Sequence, residues 1–86
     1  IMTLCNEIKN RLITELKLND VSVKDVSYMH RGHVGYIDGK ETHFELKIKC
    51  ENLFKLKKIE SHRIIHKTLN DIIKKIHAIN IKIERG

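Results

Sequence analysis

The chain has 86 residues, 17 Lys+Arg against 11 Asp+Glu for a net charge of +6, and 41% apolar residues. That is room for one small domain, 1–86, with enough apolar content for a core, which excludes wholesale disorder. Cys5 and Cys50 are too few and too far apart for a disulfide framework, and no CxxC pair offers a structural zinc site.

From Thr3 to about Leu18, Leu4, Ile8, Leu12 and Leu16 recur at helical spacing, with Cys5 and Ile13 beside them. Thr3 suits the N-cap, Glu7 suits the positive end of the helix dipole, and Asn19-Asp20 reads as the stop. Val21 and Val23 then alternate, and after a one-residue slip Val26 and Tyr28 continue, the pattern of a strand carrying a β-bulge. Met29 to Lys40 holds three glycines and is too long for a tight hairpin. From His43 to Cys50, Phe44, Leu46, Ile48 and Cys50 face one way while His43, Glu45, Lys47 and Lys49 face the other, as in a half-buried antiparallel strand. A short helix is expected around Leu53 and Phe54. A longer one, capped by Ser61 and running to about Lys75, would bury Ile65, Leu69, Ile72 and Ile76, with Ile64 and Ile73 adjoining. His77 to Ile83 alternates again as a strand. The order α-β-β-α-α-β predicts an α+β domain with a three-stranded sheet and helices packed on one face. Phe44, Leu46 and Ile48 should meet Ile65, Leu69 and Ile72 across that interface.

Six histidines invite a metal reading, because a neutral imidazole is a good ligand and replaces thiolate on iron in Rieske-type [2Fe-2S] centres. His77, at a helix-to-strand boundary, reads as a polar cap or packing group or as a ligand. His30 and His33 form an H-x2-H pair in the glycine-containing loop, either solvated or able to reach a shared ion. His62 and His66 share a helix face, but H-x3-H needs further ligands, so they read as structural or surface residues. His43 opens a strand on the side away from the core and reads as a hydrogen-bonded polar residue. Gly32-His33-Val34-Gly35 spells the GxxG of KH modules, yet here it would join two strands where KH domains join two helices, so the match is accidental.

Lys47, Lys49, Lys55, Lys57, Lys58, Arg63, Lys67, Lys74, Lys75 and Lys82 make the basic excess, a solvated face or a phosphate-binding one. Four aromatic residues poorly support a base-stacking platform. Both cysteines sit on buried faces and read as inert. No catalytic triad, carboxylate pair or phosphate loop can be assembled, so the chain reads as a non-enzyme. No apolar run approaches the ~20 residues of a membrane span, and the amphipathic start is unlike a secretory signal. The expectation is a soluble cytoplasmic domain with no membrane partner; Ile1 ahead of Met2 reads as a trimmed start and is set aside.

Four stretches in order carry a resemblance. Ser27-Tyr28-Met29-His30-Arg31-Gly32-His33 is similar to the S-x-x-H-x-G-H segment of BolA-like proteins. Glu41-Thr42-His43-Phe44 is similar to their E-T/S-H-F strand start, Phe54 with His62-Arg63 to their F…R-H-R motif, and Ile76-His77-Ala78-Ile79 to their I/V-H-A-L strand entry. The likeness runs from about Glu7 to Ile83. The chain departs in having Ser61 for the first arginine of R-H-R, in a segment before His62 one residue shorter and without the usual glycine, and in two loop histidines where some relatives have one His or Cys.

The resemblance implies the class II KH-like αββααβ fold with a mixed sheet. It further implies a partner, a monothiol glutaredoxin with glutathione, sharing a bridging [2Fe-2S] cluster for cluster transfer or iron sensing. His77 would be one metal ligand and His33 the other, with His30 the alternative in the loop. No prosthetic group is implied on the isolated chain, a monomer or weak homodimer. The rival reading is a DNA-binding transcriptional regulator that uses the basic helix after Ser61, through Lys57, Lys58, Arg63 and Lys67.

Overall fold

In the computed structural model, residues 3–35, 37 and 39–86 are described. Thr3 Oγ1 accepts the Asn6 N–H at 3.1 Å and opens helix α1 (Leu4–Leu16), as its residue type predicts. Ile8 and Leu12 are fully buried on the expected stripe. The helix stops before the Asn-Asp pair, at Lys17, whose φ of 53° is left-handed. Leu18 then turns into the core, an apolar contact typical of such endings.

Strand β1 (Asp20–Asp25) pairs antiparallel with β2 (His43–Lys49) in one unbroken register, from Asp20 opposite Lys49 to Asp25 opposite Phe44. The expected bulge is therefore absent from this ladder. The slip in hydrophobic phase marks the end of the strand: Val26 donates its N–H to His43 O at 2.9 Å, and its ψ of 21° turns the chain into a 3-10 turn at Ser27–His30. Val26 is buried for that reason, and Tyr28 is exposed.

After β2 come α2 (Glu51–Phe54), α3 (Lys58–Thr68), α4 (Asn70–Ile73) and β3 (Ala78–Glu84), which pairs parallel with β2. The sheet order is β1-β2-β3 and the sheet is mixed. The single long helix expected from Ser61 is wrong at both ends. Its N-cap is Lys57, four residues before Ser61, because the Glu60 carboxylate accepts the Lys57 N–H at 3.1 Å and caps the helix. Ser61 is an interior, buried residue whose Oγ donates to Lys58 O at 3.1 Å. The helix breaks at Leu69, whose carbonyl accepts the N–H groups of both Ile72 and Ile73 in a tightened turn.

Phe44, Leu46 and Ile48 do meet Ile65, Leu69 and Ile72 in one core cluster, completed by Ile8 and Leu12 of α1. Ser22, Lys24, Glu45, Lys47, Lys49 and Lys82 line the exposed opposite face. Arg11 ties α1 to the last helices through two bonds to the Asp71 carboxylate, at 2.7 and 3.0 Å, and one to Thr68 O. No helix among the described residues is long and apolar enough to cross a membrane.

Candidate metal-ligand site beside the glycine loop

The long connection from β1 to β2 is closed at its base by one serine. Ser27 Oγ donates to Asp25 Oδ1 at 2.6 Å and accepts the N–H groups of Thr42 at 2.8 Å and His43 at 3.0 Å. Asp25 Oδ1 also accepts the Ser27 N–H at 2.9 Å. Glu41, one residue further out, reaches back to accept the Leu4 N–H at 3.1 Å, satisfying a free amide at the start of α1. The loop is therefore pinned by polar residues on both of its arms.

The same short segment receives the chain end that carries His77. Thr42 O accepts the N–H of His77 at 2.9 Å and that of Ala78 at 3.2 Å. The backbone of His77 is thus fixed at the mouth of β3, while the residue itself is exposed. Two segments approach its ring. The His43 ring lies 5.0 Å away, centre to centre, tilted by 46°. Gly35 lies so close that a Cβ there would overlap Cγ, Nδ1 and Cε1 of His77. Gly35 also has a φ of 88°, so both its backbone and its surroundings call for glycine.

His43 is only 4% exposed, and its Nδ1 is 2.7 Å from Thr42 Oγ1. The expected hydrogen bond is there, and the His77 ring packs beside it. His33 is exposed in the turn, two residues before Gly35. Two residues span at most about 7 Å, so the loop delivers His33 to the neighbourhood of His77. The side chain of His30 lies outside the described residues. Imidazole is a fitting donor for iron, and a [2Fe-2S] centre takes four terminal donors, so His77 and His33 would fill two positions. Among the described residues, no group of three or more His, Cys, Asp or Glu side chains converges to hold a metal ion by itself.

The other candidates lie elsewhere. His62 and His66 sit on α3, where partial burial, with Lys58 and His66 as charged neighbours, pushes the His62 pKa down. Lys57 caps α3, Lys58 begins it, and Arg63 and Lys67 are exposed along it. Lys58 and His62 line a groove of about 320 Å³ with Phe54, Leu56 and Ile81. Cys5 donates its thiol to Val23 O at 3.2 Å, and burial pushes its pKa up, which makes it a poor nucleophile.

Sequence reasoning passed over Ser27, Glu41, Thr42 and Gly35 as working residues. The signal was present, since three of them stand in the quoted motifs. Their roles are hydrogen bonds across 15 or more residues of chain and one close approach, which local patterns do not encode.

Comparison with known proteins agrees with this architecture. Residues 12–85 match the family model described as BolA-like protein. A BolA-like protein of Dictyostelium discoideum is 38% identical over 78 residues, 88% of this chain and 65% of that protein. The chloroplastic/mitochondrial SufE-like protein 1 of Arabidopsis thaliana is 35% identical over 79 residues, 86% of this chain and 21% of that protein. Among solved structures, the BolA domain of Arabidopsis SufE1 superposes with a TM-score of 0.82 at 31% identity, covering 99% of this chain and 94% of that one. An α+β domain with a mixed three-stranded sheet defines the class. The chain belongs to the BolA-like family. It spans about two-thirds or less of the length of the curated relatives it matches.

Proposed function

We propose that this chain is a non-enzymatic iron–sulfur adaptor, which binds a monothiol glutaredoxin and holds a [2Fe-2S] cluster between the two proteins. Family membership and the likeness to the BolA domain of a SufE-like protein support a role in iron–sulfur metabolism. The observation that carries the finer reading is His77: its backbone is anchored to Thr42 O, its ring is exposed, and the loop bearing His33 reaches it through Gly35. His77 is the fixed donor and His33 the adjustable one, with His30 as an alternate on the same loop. The remaining donors come from the partner cysteine and glutathione. When bound, the cluster supplies a one-electron couple and a transferable iron–sulfur unit; this chain's own work is to orient two imidazoles and to dock. The chain in the cytoplasm, as a monomer or weak homodimer, belongs to the same proposal.

Co-expression with the host's monothiol glutaredoxin and absorption spectroscopy of the purified pair test it. His77→Ala should keep the fold, because the site lies at an element's edge, yet abolish the histidine-ligated signature. His33→Ala should weaken it, and the His30→Ala/His33→Ala pair should weaken it further. A His77→Ala complex with the wild-type spectrum and stability would sink the reading.

A second reading rests on α3. Lys58, Arg63 and Lys67 stand exposed on an 11-residue helix, a spacing that suits weak contact with nucleic-acid phosphates. It ranks second because aromatic residues number only four and Phe44 among them is buried, poor support for a stacking platform.

A further inference from the structure

The surroundings of His77 are more specific than a ligand at a strand mouth requires. Its ring is approached by residues 8 positions apart in sequence, 35 and 43, that lie on different arms of the loop. A Cβ added at Gly35 would fall over the face of the ring and overlap Cγ, Nδ1 and Cε1. The His43 ring, 5.0 Å away centre to centre, is itself fixed by Thr42 Oγ1 and almost wholly buried. Thr42 thus contributes twice, since its carbonyl also holds the His77 and Ala78 N–H groups. An exposed side chain would ordinarily sample several rotamers. Here Gly35 and the His43 ring take up space beside it.

We infer that Gly35 and His43 are positioning residues that seat the His77 imidazole in one orientation, the glycine backbone lying over a face of the ring. This rests on the reading of His77 as a ligand. Its consequence is that the ring's orientation exists before any partner arrives. Ligand affinity gains when a donor need not be ordered on binding, which gives the seat its purpose.

The structure contains its own control. Gly32 has a φ of 83°, nearly that of Gly35, but a Cβ added there meets nothing within 4 Å. Gly32→Ala therefore carries the left-handed backbone cost alone, and Gly35→Ala carries it together with the collision against His77. The first measurement is made on the isolated chain by NMR: χ1 couplings of His77, and cross-ring contacts from His77 to Gly35 and His43. Wild type and Gly32→Ala should show one rotamer and both contacts. Gly35→Ala should lose the Gly35-side contact and average the rotamers, and His43→Ala should average them while His43→Phe restores order. A His77 ring already averaged in the wild type, or Gly32→Ala acting as strongly as Gly35→Ala, would overturn the inference.

The second measurement uses the complex with glutaredoxin and pulsed EPR of the reduced cluster, with histidine labelled at one ring nitrogen at a time. A His77 nitrogen coupling that is sharply defined in the wild type and spread in Gly35→Ala supports the seat, and a coupling that Gly35→Ala leaves unchanged overturns it. A cluster complex indifferent to His77→Ala overturns the adaptor reading instead, and the ring-order result on the isolated chain tells the two failures apart.

Discussion

Ser27→Ala is the substitution whose cost can be worked most directly from the structure. The serine is 6% exposed, and its hydroxyl is the acceptor for the N–H groups of Thr42 and His43, both themselves buried. Alanine removes that acceptor without altering the backbone. Each buried amide left without a partner costs about 1–3 kcal/mol, less where water can enter. Asp25 loses less, because its Oδ1 keeps the Ser27 N–H. The site lies near the surface at the base of a loop, so the lower half of the range applies, and the sum is about 2–4 kcal/mol. Against a total of about 4–13 kcal/mol for a domain of this length, that is a large share. Urea unfolding should show the loss as a lower midpoint with an unchanged slope. Hydrogen exchange should show it locally, as faster exchange of the Thr42 and His43 amides. Ser22→Ala, on the exposed face of β1, is the control and should change stability by less than about 0.5 kcal/mol. A loss under about 1 kcal/mol, with the two amides still protected, would refute the clamp.

Leu69→Ala should cost about 2–5 kcal/mol by the same assay, because Leu69 is fully buried at the junction of α3 and α4, whereas Ile59→Ala, 60% exposed, should cost almost nothing; equal effects would contradict the packing. The Arg11 guanidinium holds the Asp71 carboxyl down from 3.8 to about 2. Its pKa is lower folded than unfolded, so the stabilisation is complete above pH ~4 and is lost as pH falls toward 2. Asp71→Asn should remove that part of the acid limb, and urea midpoints taken between pH 5 and pH 2 check it. Replacing Lys57, Lys58 and Lys67 with Gln should flatten the salt dependence of any DNA binding by about one unit of slope per lost phosphate contact. Tight binding that ignores both salt and these substitutions would reverse the ranking of the two functional readings.

The elements legible in the sequence are those whose burial is one-sided and regular. The α1 stripe, the alternation in β2 and the isoleucines of β3 each report a single interface, so the periods of 3.6 and 2 survive in the residue pattern. Reading failed where a polar side chain or a turn overrides the period. Val26 keeps its apolar character after the strand has ended, because it packs at the head of a 3-10 turn. Ser61 has the residue type of a cap, but Glu60 does the capping for Lys57, three residues before. The break at Leu69 carries neither glycine nor proline, and the leucine itself continues the apolar stripe through it. At the candidate site, His77 and its place at the mouth of a strand were legible. The burial of His43 and the approach of Gly35 were not, since each is a contact between segments far apart in sequence.

The four family-like segments, scattered along the chain, converge on two places. Ser27, Glu41-Thr42-His43 and His77 meet at the base and flank of the glycine loop, joined by the bonds of Ser27 Oγ and Thr42 O. Phe54 and His62 meet instead at the groove beside α3, which Ile81 and Ile83 also line. β3 connects the two, starting beside His77 and running under the groove. At roughly 3.3 Å per residue, Ile83 lies about 20 Å along the chain from His77. Side chains that far apart, with no shared partner, act nearly independently. A defect in ligation from His77→Ala and a defect in docking or phosphate contact from the α3 lysines should therefore add. The adaptor and nucleic-acid readings are for that reason not alternatives for one surface: each depends on its own residues, and each can fail without the other.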